Sequence, residues 1–244
     1  INLLTQESVP EDAQGVLIMA PVTDISADDA DKLIAYLDKG GKILMTTAYM
    51  EDFAEEMPNL QKVLDYFGLT IEKGLVMEGD SSMYYQQPAY LLPDVAYDTL
   101  TKGISGEKYI FMPYAQGIRS EEKEDVTLTP LLTSSEASYS KLNMNQAQNY
   151  EKEDGDAEGP FDVGIHAEKK LEEGTAGLTL FTSENLFTDN ANSMVADANL
   201  TLFTNTVASM SDSKESVSVP VKSYEASMIT INDGTAFTLG ALFM

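Results

Sequence analysis

The chain has 244 residues, 43% of them hydrophobic, enough for a buried core and too apolar for wholesale disorder. Its 15 basic and 40 acidic residues leave a net charge of −25, a field that repels phosphate backbones and anionic membrane surfaces. With no cysteine there is no disulfide, thiolate metal site or cysteine nucleophile.

Val16–Ala20 is a short apolar run stopped by Pro21, as expected of a strand buried on both faces. Ser26 then predicts a helix N-cap, with Asp29 at capping-box spacing and Asp28 favoured by the helix dipole. Ala27, Ala30, Leu33, Ile34 and Leu37 share one helical face. Gly40 suits a left-handed C-terminal cap, and a strand starts at Lys42 and runs through Thr46. This is a complete βαβ unit, so the fold class expected is α/β, a Rossmann-like (flavodoxin- or amidotransferase-like), mostly parallel sheet.

After Pro58 a second helix is predicted, with Leu60, Val63, Leu64 and Phe67 on one face and Gly68 as its stop. Strand-type segments follow at 69–71 and 75–77. Residues 79–105 lose periodicity and collect Tyr84, Tyr85, Tyr90 and Tyr97 among prolines, the pattern of a long functional insertion. Strands are predicted at 109–112, 126–129, 161–167 and 177–181, and a helix at 199–210, with a second, acidic insertion near 143–160. The domain expectation is one α/β domain over 1–212 and a β-rich tail over 213–244, with Asn232-Asp233-Gly234 as a hairpin turn.

Several segments resemble a known family in order along the chain. Val-Pro-Glu-Asp-Ala (9–13), Ala20-Pro21, the acidic capped helix and Tyr36 through Leu44 are similar to the GldG-type ABC-transporter auxiliary proteins. Related domains occur in intraflagellar transport proteins. Leu60 to Ile71, Leu91-Leu92-Pro93, Gly159-Pro160-Phe161 and Leu178 to Met210 resemble later parts of the same family. One departure is Ala198-Asn199, where the family usually has Gly-Asn.

The resemblance implies an extracytoplasmic domain of a gliding-motility-associated, membrane-anchored bacterial protein working beside an ABC permease and an ATPase. It carries no agreed catalytic constellation, so it implies a non-catalytic role with no cofactor and no metal. The chain opens at Ile1 and stops at Met244, which suggests a piece of a longer protein whose membrane helix lies outside it.

The residues allow two other readings. A degenerate amidotransferase-like or hydrolase enzyme would have to use Thr46, Thr47 or Ser183, since there is no cysteine and no nucleophile-elbow motif. The single histidine, His166, falls within a strand, where structural roles predominate. A calcium-stabilised adhesion domain would use Asp154, Asp156, Glu158 and Asp162, whose spacing follows an EF-hand loop until position 12, which is Ile165 instead of glutamate. Gly40-Gly41-Lys42 lacks the remaining signature of a phosphate loop.

In open α/β sheets ligands gather beyond the carboxyl ends of the strands. That rim would comprise Thr23, Asp24, Thr47, Tyr49, Ser183, Glu184 and Asn185, covered by Tyr84 and Tyr85. Tyrosines among hydroxyl and carboxylate neighbours suit a small molecule such as a sugar, a peptide, or a protein interface. No nucleic-acid partner is expected from the charge.

Overall fold

In the computed structural model, residues 3–143 and 150–211 are described, so the predicted C-terminal β tail and its hairpin turn lie outside the described residues. The first half of the chain forms β1 (Val16–Met19), α1 (Ala27–Leu37), β2 (Lys42–Thr46), α2 (Phe53–Glu56), α3 (Pro58–Asp65), β3 (Leu69–Ile71), β4 (Leu75–Met77), β5 (Tyr90–Leu91), β6 (Asp94–Val95) and β7 (Met112–Pro113). The second half adds β8 (Ile118–Ser120), β9 (Val126–Thr133), β10 (Tyr139–Lys141), β11 (Ala157–Glu158), β12 (Asp162–Lys170), β13 (Thr175–Phe181), α4 (Asp189–Met194) and α5 (Ala198–Met210).

The fold is α/β, with an eight-stranded mixed main sheet. β1, β2 and β13 pair in parallel, and β12 then turns the sheet antiparallel between β13 and β9. β8 and β3 extend it, β6 pairs with β9, and two small antiparallel sheets join β11-β10-β4 and β5-β7. The parallel part is therefore the βαβ unit read from the sequence plus β13; the rest is antiparallel.

Alternation along the inner strands makes two cores. Ile43 and Met45 of β2, with Leu178 and Leu180 of β13, meet Ala30, Leu33 and Leu37 of α1 and Leu60, Val63 and Leu64 of α3. Leu44 and Phe181 point the other way, onto Ala198, Leu202 and Met210 of α5 and onto Leu91, Ile110 and Met112. Full burial of one such side chain contributes about 1.5–3 kcal/mol.

The local signals of the first unit hold. Ser26 Oγ accepts the Asp29 amide at 3.1 Å, and Gly40 takes φ +85°, which a side chain would strain. Two expectations change. β1 lies at the sheet edge, so Leu17 and Met19 are 44% and 46% exposed and the strand is not buried on both faces. The strand expected at 109–112 shrinks to Met112–Pro113, because the Phe111 amide is taken by a side chain, Asn199 Oδ1.

The stretch from Glu151 to Asp156 of the acidic insertion is held by a lysine. Lys141 is 2% exposed; its Nζ donates to Glu151 O at 2.8 Å and lies 3.3 Å from Glu153 and 3.7 Å from Asp156. Asp156 also accepts the Leu142 and Glu153 amides at 3.0 and 2.8 Å. The carboxylate that the calcium reading needs is thus turned inward onto an ammonium group. Among the described residues no group of three or more His, Asp or Glu side chains is placed to hold a metal ion. Nor does any described helix have the length and apolarity to cross a membrane.

Candidate functional site

The rim beyond the parallel strands is filled by the chain itself. Gln116, fully buried, reaches into it from the segment between β7 and β8. Its Nε2 donates to Met50 O and Glu72 O, both at 2.9 Å, and its Oε1 accepts the Met50 amide at 3.0 Å. Thr182 at the end of β13 donates its hydroxyl to Gln116 O at 2.6 Å, and Ser183 donates to Pro113 O at 2.5 Å. The Thr47 amide closes onto Phe181 O at 3.1 Å. The crevice of an open α/β sheet is here a hydrogen-bonded seam.

That seam fixes the fate of most residues expected to bind a ligand. Asp24 caps α3: its carboxylate accepts the Asn59 and Leu60 amides at 2.9 and 3.1 Å and the Asn59 side-chain amide at 2.8 Å. The residue at the cap position, Met57, has no oxygen to offer, so the cap comes from 35 residues away. Thr47 and Ser183 are buried, and Tyr49 packs on Leu75, Met77, Ala89 and Tyr139. Tyr84 forms a backbone bridge with Leu91. Thr23 is exposed, and Glu184, also exposed, accepts the Asn185 side-chain amide at 3.4 Å.

Tyr85 and Asn185 do share a cavity. They line an open groove of about 480 Å³ with Gln86, Tyr90, Phe111, Pro113, Tyr114, Thr188, Asn190, Ala191 and Met194. Its rings stand edge to face: Tyr85 on Phe111 with centroids 6.2 Å apart at 89°, and Tyr90 on Phe111 at 5.5 Å and 84°. Tyr90 meets Tyr114 in the same way at 5.4 Å and 83°. Each such pair adds about 0.5–1.5 kcal/mol beyond its area.

Along one edge the hydroxyls of Tyr90 and Tyr114 lie 3.3 Å apart, Gln87 Nε2 donates to Tyr114 at 3.4 Å, and Tyr150 donates to Gln87 Oε1 at 2.8 Å. The hydrogen bond to Tyr114, with burial and the neighbouring tyrosines, pushes the Tyr90 pKa above the ordinary tyrosine value. Gln86 and Tyr114 both hold left-handed backbone, at φ +63° and +58°. For a bulky residue such as Tyr114 this is a strained conformation, of the kind that collects at binding sites.

The floor is anchored by Asn199, fully buried in α5. Its Oδ1 accepts the Phe111 amide at 3.1 Å, and its Nδ2 donates to Phe111 O and Leu186 O, both at 2.7 Å. One side chain therefore ties the aromatic wall to the turn entering α4. Gln116, Tyr90, Tyr114 and Asn199 are central to this region yet were not among the expected site residues. Their partners lie far along the chain, so local pattern carried no signal beyond the clustering of tyrosines.

Chemically the described lining of the groove is neutral: aromatic faces and edges, hydroxyls and amides, with no charged residue among the described lining residues. The hydroxyls considered as nucleophiles do not gather with a base. Ser183 spends its proton on Pro113 O, and Thr46 and Thr47 Oγ1 are buried without a hydrogen-bond partner. His166 sits in β12 with Nδ1 2.9 Å from Thr179 Oγ1, and burial lowers its pKa.

No protein-family model matches the chain, and no curated protein sequence does. Among solved structures it is similar to the mmIFT52 N-terminal domain, at 13% identity with a TM-score of 0.59. The match covers 83% of this chain and 79% of that one. At that identity the likeness speaks to the fold.

Proposed function

We propose that the chain is a non-catalytic binding domain of a GldG-like ABC-transporter auxiliary protein, and that the tyrosine groove is its binding face. The carrying observation is the contrast between a strand-end rim sealed by Gln116 and an open, neutral groove centred on Tyr85, Tyr90 and Tyr114. A sealed rim offers no room for a substrate at the usual place, whereas exposed tyrosines around a rigid floor suit partner recognition. The ordered sequence resemblance from Val9 to Met210 supports the family, and with it an extracytoplasmic position on a membrane-anchored parent. In this reading a separate ATPase subunit does the chemical work and this domain contributes assembly or ligand capture.

The test is to purify the full-length parent through an affinity tag in mild detergent. Co-purification of a permease and an ATPase subunit is the expected result. Recovery of the parent alone, under conditions that keep other membrane complexes intact, would overturn the transporter assignment.

A further inference from the structure

We infer that the tyrosine groove receives a proline-rich partner segment in the polyproline II conformation. This rests on the reading of the groove as the binding face and names the chemistry it selects.

Three features of the lining point there. First, the rings are arranged as successive perpendicular pairs over Phe111, which is itself 4% exposed, so the surface is ridges and slots. Such slots accept pyrrolidine rings, as aromatic grooves do when they bind polyproline II segments.

Second, no described residue lining the groove is a carboxylate, in a chain that carries 40 acidic residues; Glu184 meets the groove only through Asn185, whose side-chain amide it accepts at 3.4 Å. A proline segment has no backbone N–H and presents only carbonyl acceptors. The Tyr85 hydroxyl, the one hydroxyl of the Tyr90–Tyr114 pair whose proton is not used between them, and the amides of Gln86 and Asn190 can donate to them. A saccharide or an ordinary strand brings many O–H or N–H donors, and the strongest acceptors for those are not among the described lining residues.

Third, several large side chains stand open here. Tyr85, Tyr114 and Met194 in the groove, and Tyr150 at its hydroxyl edge, are each about two-fifths exposed. A polyproline II segment is already extended, so it loses little entropy on docking to a surface held in place by Asn199.

The experiment is NMR of the 244-residue chain with labelled tyrosine rings, titrated separately with decaproline, a Gly-Ser decapeptide and cellohexaose. Saturable shifts of Tyr85, Tyr90 and Tyr114 with decaproline alone are expected. Tyr114→Ala should weaken binding about tenfold or more, while Tyr97→Ala, at a fully exposed residue outside the groove, leaves it unchanged. If Tyr114→Ala does not fold, Tyr85→Ala gives the same comparison. No saturable shift with decaproline, an equal response to the Gly-Ser peptide, binding of cellohexaose instead, or full affinity in the folded groove variant would each overturn the inference. A parent that retrieves permease and ATPase while its groove ignores decaproline would sink this inference alone; decaproline binding by a parent that retrieves neither would sink the transporter assignment alone.

Discussion

Gln116 and Met50 exchange two hydrogen bonds, side-chain amide to backbone carbonyl at 2.9 Å and backbone amide to side-chain oxygen at 3.0 Å. The pair mimics a strand rung across the place where an open sheet would leave a crevice. Replacing Gln116 by Leu keeps volume but strands the Met50 amide and two carbonyls in a buried setting. We expect a loss of about 2–4 kcal/mol in urea unfolding. An unchanged midpoint would mean that the seam is not what closes the rim.

Lys141 stands where a bound cation would be in the calcium reading. Lys141→Met leaves the Asp156 carboxylate buried with only two backbone donors. A destabilisation of about 3–5 kcal/mol is expected. Added millimolar calcium should leave the wild-type melting temperature where it was, since a ligand raises it only by binding the folded state. A calcium-dependent rise would restore the adhesion reading.

The buried Asp156 and the half-buried His166 both contribute to the acid limb of stability. Burial pushes the Asp156 pKa up, but the Leu142 and Glu153 amides and Lys141 outweigh it, so the net shift is downward. Burial also depresses His166. In both cases the unfolded chain binds a proton that the folded chain does not, so stability rises with pH between the folded and unfolded pKa values. His166 should therefore cost stability as pH falls below about 6.5, and Asp156 below about 4. His166→Gln should flatten the first step and Asp156→Asn the second, read as unfolding midpoints against pH.

Asn199 makes three hydrogen bonds from a fully buried site. Asn199→Ala is expected to cost about 2–4 kcal/mol and to loosen Phe111 beneath the tyrosines. Hydrogen exchange at the Phe111 amide should then rise more than at amides of β13. Equal protection in both places would show that the groove floor does not depend on this side chain.

What the sequence disclosed was what neighbours in the chain decide. Ser26 caps α1 and Gly40 closes it because both act within one helical turn of the residues they serve. The same reasoning missed Asp24 as the cap of α3, because the partners are 35 residues apart. It gave β1 two buried faces, since an apolar run does not say whether its strand is central or at an edge. Within the site, the tyrosine cluster was visible as composition, and Tyr85 and Asn185 do line the groove. Topology alone put Thr23, Asp24, Thr47, Tyr49, Ser183, Glu184 and Asn185 at a strand-end rim, where Gln116, contributed by a distant segment, occupies the space a ligand would need.

The most direct measurement compares what the tagged full-length parent retrieves with and without the groove tyrosines. Wild type should bring down permease and ATPase subunits, and a folded Tyr85→Ser/Tyr114→Ser variant should lose them, while Thr23→Ala on the rim retains them. Equal recovery by wild type and the groove variant would contradict the assignment of the groove as the binding face.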